Sequence, residues 1–251
     1  REPRRRASGV GSRMKVEIVT NRDGEAAVVE YDYQSRSVDE KPMVLDVLLQ
    51  AQLNGHADLA FRYGCRARNC GVCTVDINGR PRLACRARIR DGDRISAMGT
   101  LPVLADLVVK RDGIARQMRG RMPAQAAGND LNVEAPEDYH ALTACVECYA
   151  CLHNCPMHAK NLKLDDCGVT AAVAVGEGYL WGNPFSLLKL QIVRLDPLSS
   201  QAEKDEAVTQ ARDLGLDVCT NCPGCKCGVG IDLKNKVVKE LLDAAGLAAG
   251  G

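Results

Sequence analysis

The sequence predicts an α+β chain in which a strand-rich N-terminal domain with one helix is followed by a helical domain. Three observations carry this. Apolar and polar residues alternate in short runs between Met14 and Ala97, the period of half-buried strands. That alternation disappears after residue 105. Twelve of the 13 cysteines fall into three tight groups, one in the first region and two in the second. A length of 251 residues suits one or two domains, and the spacing of the groups favours two. The expected boundaries are a leader at 1–13, a strand-rich domain at 14–105, a linker with a short helix at 106–136, and a helical domain at 137–251.

Taken in order, Arg1 to Arg13 is arginine-rich, lacks an apolar core segment, and reads as a disordered leader. Met14–Thr20 and Ala27–Tyr33 alternate around Asn21-Arg22-Asp23-Gly24, a hairpin signal. Val44–Leu53 is apolar on a helical face, with Pro42 before it and Asn54-Gly55 after it. A loop from Arg62 to Cys73 carries the first cysteines. Val72–Ile77 and Pro81–Ala87 flank Asn78-Gly79, a two-residue hairpin turn, and Arg94–Ala97 is a last short strand. Strands packed on one helix beside a cysteine loop make a small β-grasp-like module. Beyond it, Asp106–Arg119 reads as a helix and Gly120–Pro136 as a linker. Phe185–Leu195, Glu203–Leu214 and Leu233–Ala245 read as amphipathic helices.

Composition excludes several classes. Lys and Arg total 33 against 32 Asp and Glu, so no global field marks a nucleic-acid binder. No apolar run approaches the ~18–20 residues that span a bilayer. The best candidate, Phe185–Leu195, is interrupted by Lys189, Gln191 and Arg194. Aromatic residues are few, with two Phe and one Trp, and bound cofactors would replace part of an aromatic core. The cysteines stand at ligand spacings rather than as a dispersed disulfide framework, which points to a reducing, cytoplasmic-side location.

Cys65, Cys70, Cys73 and Cys85 spell C-x4-C-x2-C-x11-C, the plant-type spacing for a [2Fe–2S] cluster. A four-cysteine zinc site is the alternative, but it is usually built from two C-x2-C knuckles. Cys145, Cys148, Cys151 and Cys155, followed by Pro156, form the bacterial-ferredoxin run C-x2-C-x2-C-x3-C-P. In that run three ligands climb one helical turn and the fourth serves the neighbouring cluster. Cys219, Cys222, Cys225 and Cys227 then complete two sites. By the cross-over, Cys145, Cys148 and Cys151 take one cysteine from the last group, with Cys227 the favoured one. Cys155 joins Cys219, Cys222 and Cys225. Soft thiolates are the ligands iron–sulfur chemistry requires.

Cys167 is left over, read as a small buried hydrophobe with a ligand role as the alternative. His56, His140, His153 and His158 share no metal spacing and read as solvated helix residues. Arg62, Arg66, Arg68, Arg80, Arg82, Arg86 and Arg88 crowd the first group. They read equally as solvated surface and as a docking rim that offsets thiolate charge. No Rossmann or P-loop glycine pattern and no nucleophile–base pair accompanies the cysteines, so no catalytic residue is expected; the chain moves electrons.

In the order of these motifs the sequence resembles the iron–sulfur subunits of succinate dehydrogenases and fumarate reductases. Cys145-Val146-Glu147-Cys148-Tyr149-Ala150-Cys151-Leu152-His153-Asn154-Cys155-Pro156, Pro102–Val109 and Gly182-Asn183-Pro184 carry the resemblance, which runs over residues 14–245. It implies a β-grasp domain followed by an α-helical ferredoxin domain. It also implies an electron path from the FAD of a flavoprotein subunit through [2Fe–2S] and [4Fe–4S] to a third cluster near a quinone held by membrane-anchor subunits. By position, Cys65, Cys70, Cys73 and Cys85 hold the first cluster. Cys145, Cys148, Cys151 and Cys227 hold the second, and Cys155, Cys219 and Cys225 the third. Three departures stand out. Cys222 occupies a position that the family pattern fills with a non-cysteine, which would convert [3Fe–4S] to [4Fe–4S]. The step from Cys225 to Cys227 is short. Met157-His158-Ala159-Lys160 replaces the family's aromatic residues after Pro156, and an insertion follows at Leu162–Gly178.

Overall fold

The computed structural model describes residues 13–37, 39–122, 133–164, 170–172 and 179–247. Most of the expected leader, much of the expected linker, and Cys167 lie outside them; Arg13 already belongs to the first strand. The chain divides into two compact units. One runs to Met98 and takes in Val103–Val109, and the other combines Gly99–Pro102 with the chain from Lys110 onward.

In the first unit, β1 (Arg13–Arg22) and β2 (Glu25–Gln34) form the antiparallel hairpin the alternation predicts, closed by Asp23-Gly24 with both residues at positive φ. α1 (Val44–Leu53) matches its expected bounds. Its Asp46 carboxylate accepts from the Met43 N–H at 2.9 Å, closing the first turn. β3 (Thr74–Ile77), β4 (Arg80–Leu83) and β5 (Arg94–Ser96) complete a sheet of order β2-β1-β5-β3-β4, in which β1 and β5 run parallel and the other pairs antiparallel. β3 and β4 are shorter than predicted because the chain leaves the sheet to build the cysteine-bearing turns at either end. Val44, Leu45, Val47, Leu48 and Ala51 of α1 are buried, as are Val16, Ile18, Tyr33 and Ile95 of the sheet.

Asp106–Arg119 is not one helix. β6 (Val103–Ala105) and β7 (Val108–Val109) form a small hairpin first, and α2 (Asp112–Met118) starts only after it. The cause is Asp106, at positive φ and buried. Its carboxylate accepts from the N–H groups of Asn21 and Ala60 at 3.2 and 2.8 Å and pairs with Arg22 at 3.2 Å. Meanwhile the Leu107 N–H donates to the Ala60 carbonyl at 3.1 Å. A unit ending at residue 105 would lose this staple, which fixes the irregular segment leading to Cys65.

The second unit is mainly helical: α3 (Glu137–Thr143), α4 (Pro156–Ala159), α5 (Pro184–Leu195), α6 (Gln201–Asp213) and α7 (Glu240–Ala244). It also holds a short hairpin that the sequence pattern did not announce, β8 (Leu162–Leu164) with β9 (Thr170–Ala172), inside the insertion. Asn183 caps α5, its side-chain oxygen accepting from the Phe185 and Ser186 N–H groups at 3.0 Å each. α5 is buried within the unit through Phe185, Leu187, Leu188, Leu190 and Val193, so its apolar face needs no outside cover.

The predicted helix at Leu233–Ala245 is not uniform, because Lys234–Lys239 is π-helical before α7 begins. Its buried residues, Leu233, Val237, Val238, Leu241 and Leu242, recur every four residues. In a straight α-helix that spacing drifts ~40° per repeat. The wider π turn brings the side chains back onto one face.

Candidate iron–sulfur sites

All twelve cysteines of the three groups are free thiols. The first group sits where β3, β4 and α1 meet. The Ala84 N–H donates to the Cys73 carbonyl at 2.9 Å, while the Val44 and Leu45 N–H groups at the start of α1 donate to Ala87 and Ala84. These bonds fix Cys73 and Cys85, both buried, against the sheet. Cys65 lies on the exposed loop, and two arginines there, Arg66 and Arg68, adopt left-handed backbone with φ of 55° and 64°. Such conformations are costly for a residue with a Cβ and collect at functional sites. Here they turn the Ala67 and Asn69 N–H groups onto Cys65 Sγ at 3.3 and 3.2 Å. The donors hold the Cys65 thiol down at about 7. Burial does the reverse at Cys73, pushing it up to about 11. A Cβ added to Gly64 would lie 3.3 Å from Cys70 Sγ.

In the helical unit, Cys145, Cys148 and Cys151 do not climb a helical turn. The chain between them is irregular, with Glu147 and Tyr149 at φ of 52° and 59° and a 3-10 turn at Ala150–Leu152. Left-handed residues between the cysteines wrap the backbone around a shared centre, which a helical turn would not do. Burial raises the thiols of Cys145, Cys148 and Cys151; Cys227 adds to each, and at Cys151 the nearer Cys148 and Cys145 add more than Cys227, with Cys225 adding as well. Gly228 makes this approach possible, since a Cβ there would stand 3.2 Å from Cys148 Sγ and 3.0 Å from Ala150 Cβ.

Cys155 faces the other way. Burial raises its thiol, with Cys222 as the neighbouring charge that adds to it. Burial pushes Cys219 and Cys225 up to about 12, with Cys155 and Cys222 adding at each. Cys151, Cys155, Cys219, Cys222 and Cys225 line one small cavity with Pro156, Met157 and Leu187. The structure thus brings thiols of the last two groups together in one unit.

Backbone donors serve these sets as well. The His158 N–H donates to Cys155 Sγ and the Val229 N–H to Cys227 Sγ, both at 3.4 Å. His158 is not the solvated residue expected; it is buried, and its Nε2 lies 2.9 Å from the Thr100 carbonyl. Burial lowers its pKa, against the smaller opposing effect of the Thr100 carbonyl. His153 is half-buried beside the cavity, whereas His56 and His140 lie apart from the thiols.

Thiols this buried and this close resist ionising by themselves. Iron supplies the positive charge that a set of four thiolates needs, and metal binding drives off the thiol protons. The residues therefore fit iron–sulfur clusters. Inward N–H donors, glycines opposite sulfur and a thiol-lined cavity are what such a group occupies. The sequence marks Gly64 and Gly71 as small residues that let backbone N–H groups reach sulfur in the first nest; it does not mark Gly228 or the donors at Ala67, Asn69, His158 and Val229.

These cysteine nests define an iron–sulfur protein. Residues 14–116 match the 2Fe-2S iron-sulfur cluster binding domain. Over 209 residues the chain is 32% identical to a chain of the fumarate reductase (CoM/CoB) of Methanothermobacter marburgensis, covering 81% of this chain and 37% of that one. It is 28% identical over 217 residues to the fumarate reductase iron–sulfur subunit of Mycobacterium tuberculosis, covering 80% and 81%. A chain of the Mycobacterium smegmatis Sdh1 complex in the apo form shares the fold, with a TM-score of 0.76 at 20% identity, covering 94% of this chain and 96% of that one. The chain is similar to the iron–sulfur subunits of succinate dehydrogenases and fumarate reductases. It spans little more than a third of the Methanothermobacter relative, 37% of its length.

Proposed function

We propose that the chain is the electron-transfer subunit of a succinate dehydrogenase- or fumarate reductase-like complex, passing electrons between the FAD of a flavoprotein subunit and a quinone or membrane-subunit acceptor. The observation that carries this is the clustering of Cys151 and Cys155 with Cys219, Cys222 and Cys225 around one cavity, which supports neighbouring centres in one unit.

In this assignment Cys65, Cys70, Cys73 and Cys85 hold [2Fe–2S] in a β-grasp, plant-type ferredoxin-like domain; the sheet order with α1 laid across it supports that label. Cys145, Cys148, Cys151 and Cys227 hold [4Fe–4S] in an α-helical ferredoxin domain. Cys155, Cys219, Cys222 and Cys225 hold the third cluster, read as a second [4Fe–4S] because Cys222 lines the same cavity as its three neighbours. Were Cys222 not a ligand, the centre would be [3Fe–4S]. The clusters supply reversible one-electron chemistry over a wide range of potentials. The protein's own part is to hold thiolates, exclude water and tune charge on sulfur. The N–H groups of Ala67, Asn69, His158 and Val229 stabilise sulfur charge, which raises a potential, while burial of the helical-unit thiols opposes added charge as well. No helix among the described residues is long and apolar enough to cross a membrane. Attachment to the cytoplasmic side of a membrane would run through partner subunits.

Iron and acid-labile sulfide analysis of the complex purified with its flavoprotein tests the assignment, with about ten irons per chain expected. EPR of the reduced protein should resolve more than one centre. Zinc in place of iron, or a single paramagnetic centre under full reduction, would refute it. An acceptor other than a quinone is the second reading, favoured by Met157-His158-Ala159-Lys160 after Pro156 and by the name of the Methanothermobacter relative.

A further inference from the structure

Five arginines of the strand-rich unit, Arg80, Arg82, Arg86, Arg88 and Arg90, line one concave space of about 560 Å³. Their even numbering is the cause. Arg80 and Arg82 alternate with Leu83 along β4, a turn at 84–86 buries Ala84 and Cys85, and Arg86, Arg88 and Arg90 then alternate with the buried Ala87 and Ile89, so all five arginines are exposed. None of them forms an ion pair among the described residues. The single carboxylate in the lining is Asp93, and it is already committed. One of its oxygens accepts from Asn78 Nδ2 at 2.8 Å and the other from the Arg90 N–H at 2.7 Å. Five arginines therefore line a pocket with one carboxylate, an excess of four positive charges, and of the five only Arg88 has a side-chain hydrogen bond among the described residues, to the Lys41 carbonyl at 3.4 Å.

We propose that this pocket binds a compact, multiply charged oxyanion, an oligophosphate or polycarboxylate in chemical class. Guanidinium presents a planar fork of donors that matches such oxygens two at a time. The rest of the lining, Ile77, Asn78 and Ala87, offers little apolar surface and no aromatic face on which a base could stack. An extended peptide added along β4 is disfavoured too. β4 is the edge strand of the sheet, and Pro81 presents no N–H on its free side. The exposed apolar side chains Leu53, Leu104 and Leu180 lie outside the lining, so a lipid surface has nothing apolar to engage there.

The test is calorimetric titration of the intact, cluster-loaded protein with tripolyphosphate, citrate and monophosphate at about 0.15 M salt, where weak surface attraction is screened. One saturable site per chain is expected, with tripolyphosphate and citrate binding at least tenfold tighter than monophosphate. Arg82→Gln with Arg90→Gln should weaken binding at least tenfold, and Arg82→Lys with Arg90→Lys should fall in between, since charge is kept and the fork is lost. An unchanged visible spectrum in both variants shows that the first nest is intact. Absence of saturable heat, or equal binding by the Gln pair, overturns the proposal. So does loss of a co-purifying acidic protein from the Gln pair when the parent takes up no tripolyphosphate, because the patch would then be a protein-docking surface.

Discussion

The strand-rich and helical units solve the same problem, holding four thiols around one centre, by different routes. In the first, all four cysteines lie within residues 65–85, and the loop bearing Cys65 is exposed. Its order comes from local devices: left-handed Arg66 and Arg68, the Ala67 and Asn69 donors, and the N-terminus of α1 bonded to the chain around Cys85. In the helical unit neither set is local. Cys227 raises the Cys148 thiol across most of the unit's sequence, and Cys151 and Cys155 line one cavity with Cys219, Cys222 and Cys225. A local nest tolerates exposure because its geometry is set by neighbours in sequence. Thiols brought together from distant segments need the whole hydrophobic core of α5, α6 and α7 to be in place first.

That contrast can be broken most sharply at Cys155. Cys155→Ser should cost the third centre, about four irons per chain, and leave the first centre's EPR signal unchanged. Loss of the first signal together with the third would show that the two units are not independent. Gly228→Val comes next. A side chain at 3.2 Å from Cys148 Sγ must push the last cysteine segment away, so the second centre should be lost or halved in occupancy. Full iron content in this variant would argue that Cys227 is not held where the structure puts it.

Cys222→Ser is a smaller change, expected to remove about one iron and leave a three-iron centre. EPR of the oxidised variant, prepared anaerobically, should show a new signal that the parent lacks. The same signal in the parent would mean that Cys222 is not a ligand. The mildest test sharpens the local side of the comparison. Asp106→Ala removes two backbone acceptor bonds and the Arg22 pair from a buried site, a loss of about 2 kcal/mol in unfolding experiments on the first unit. The helical unit's centres should keep their spectra, and a change there would contradict two separately built units.

The cysteine spacings, the β1–β2 hairpin and α1 were legible because each is a short-range pattern: a ligand gap, an alternation, or an apolar face between Pro42 and Gly55. The β6–β7 hairpin was hidden because its turn depends on Asp106 meeting Asn21 and Ala60, residues far away in sequence. The π turn before α7 had a signal, the four-residue recurrence of Leu233, Val237 and Leu241, that a 3.6-residue template smooths over. His158 looked like a surface residue because its neighbours Ala159 and Lys160 are exposed, while its ring turns inward toward Thr100.

What the sequence determined alone was the chemistry: soft ligands in three groups, no catalytic constellation, and two regions with different periods. Thiol identity and spacing are written in the chain, and no fold is needed to read them. What only the tertiary structure decided was which thiols line one cavity, how N–H groups meet their sulfurs, and that five outward arginines line one space with a single carboxylate. Those outcomes depend on long-range packing and backbone handedness, where a residue's neighbours in space are not its neighbours in sequence.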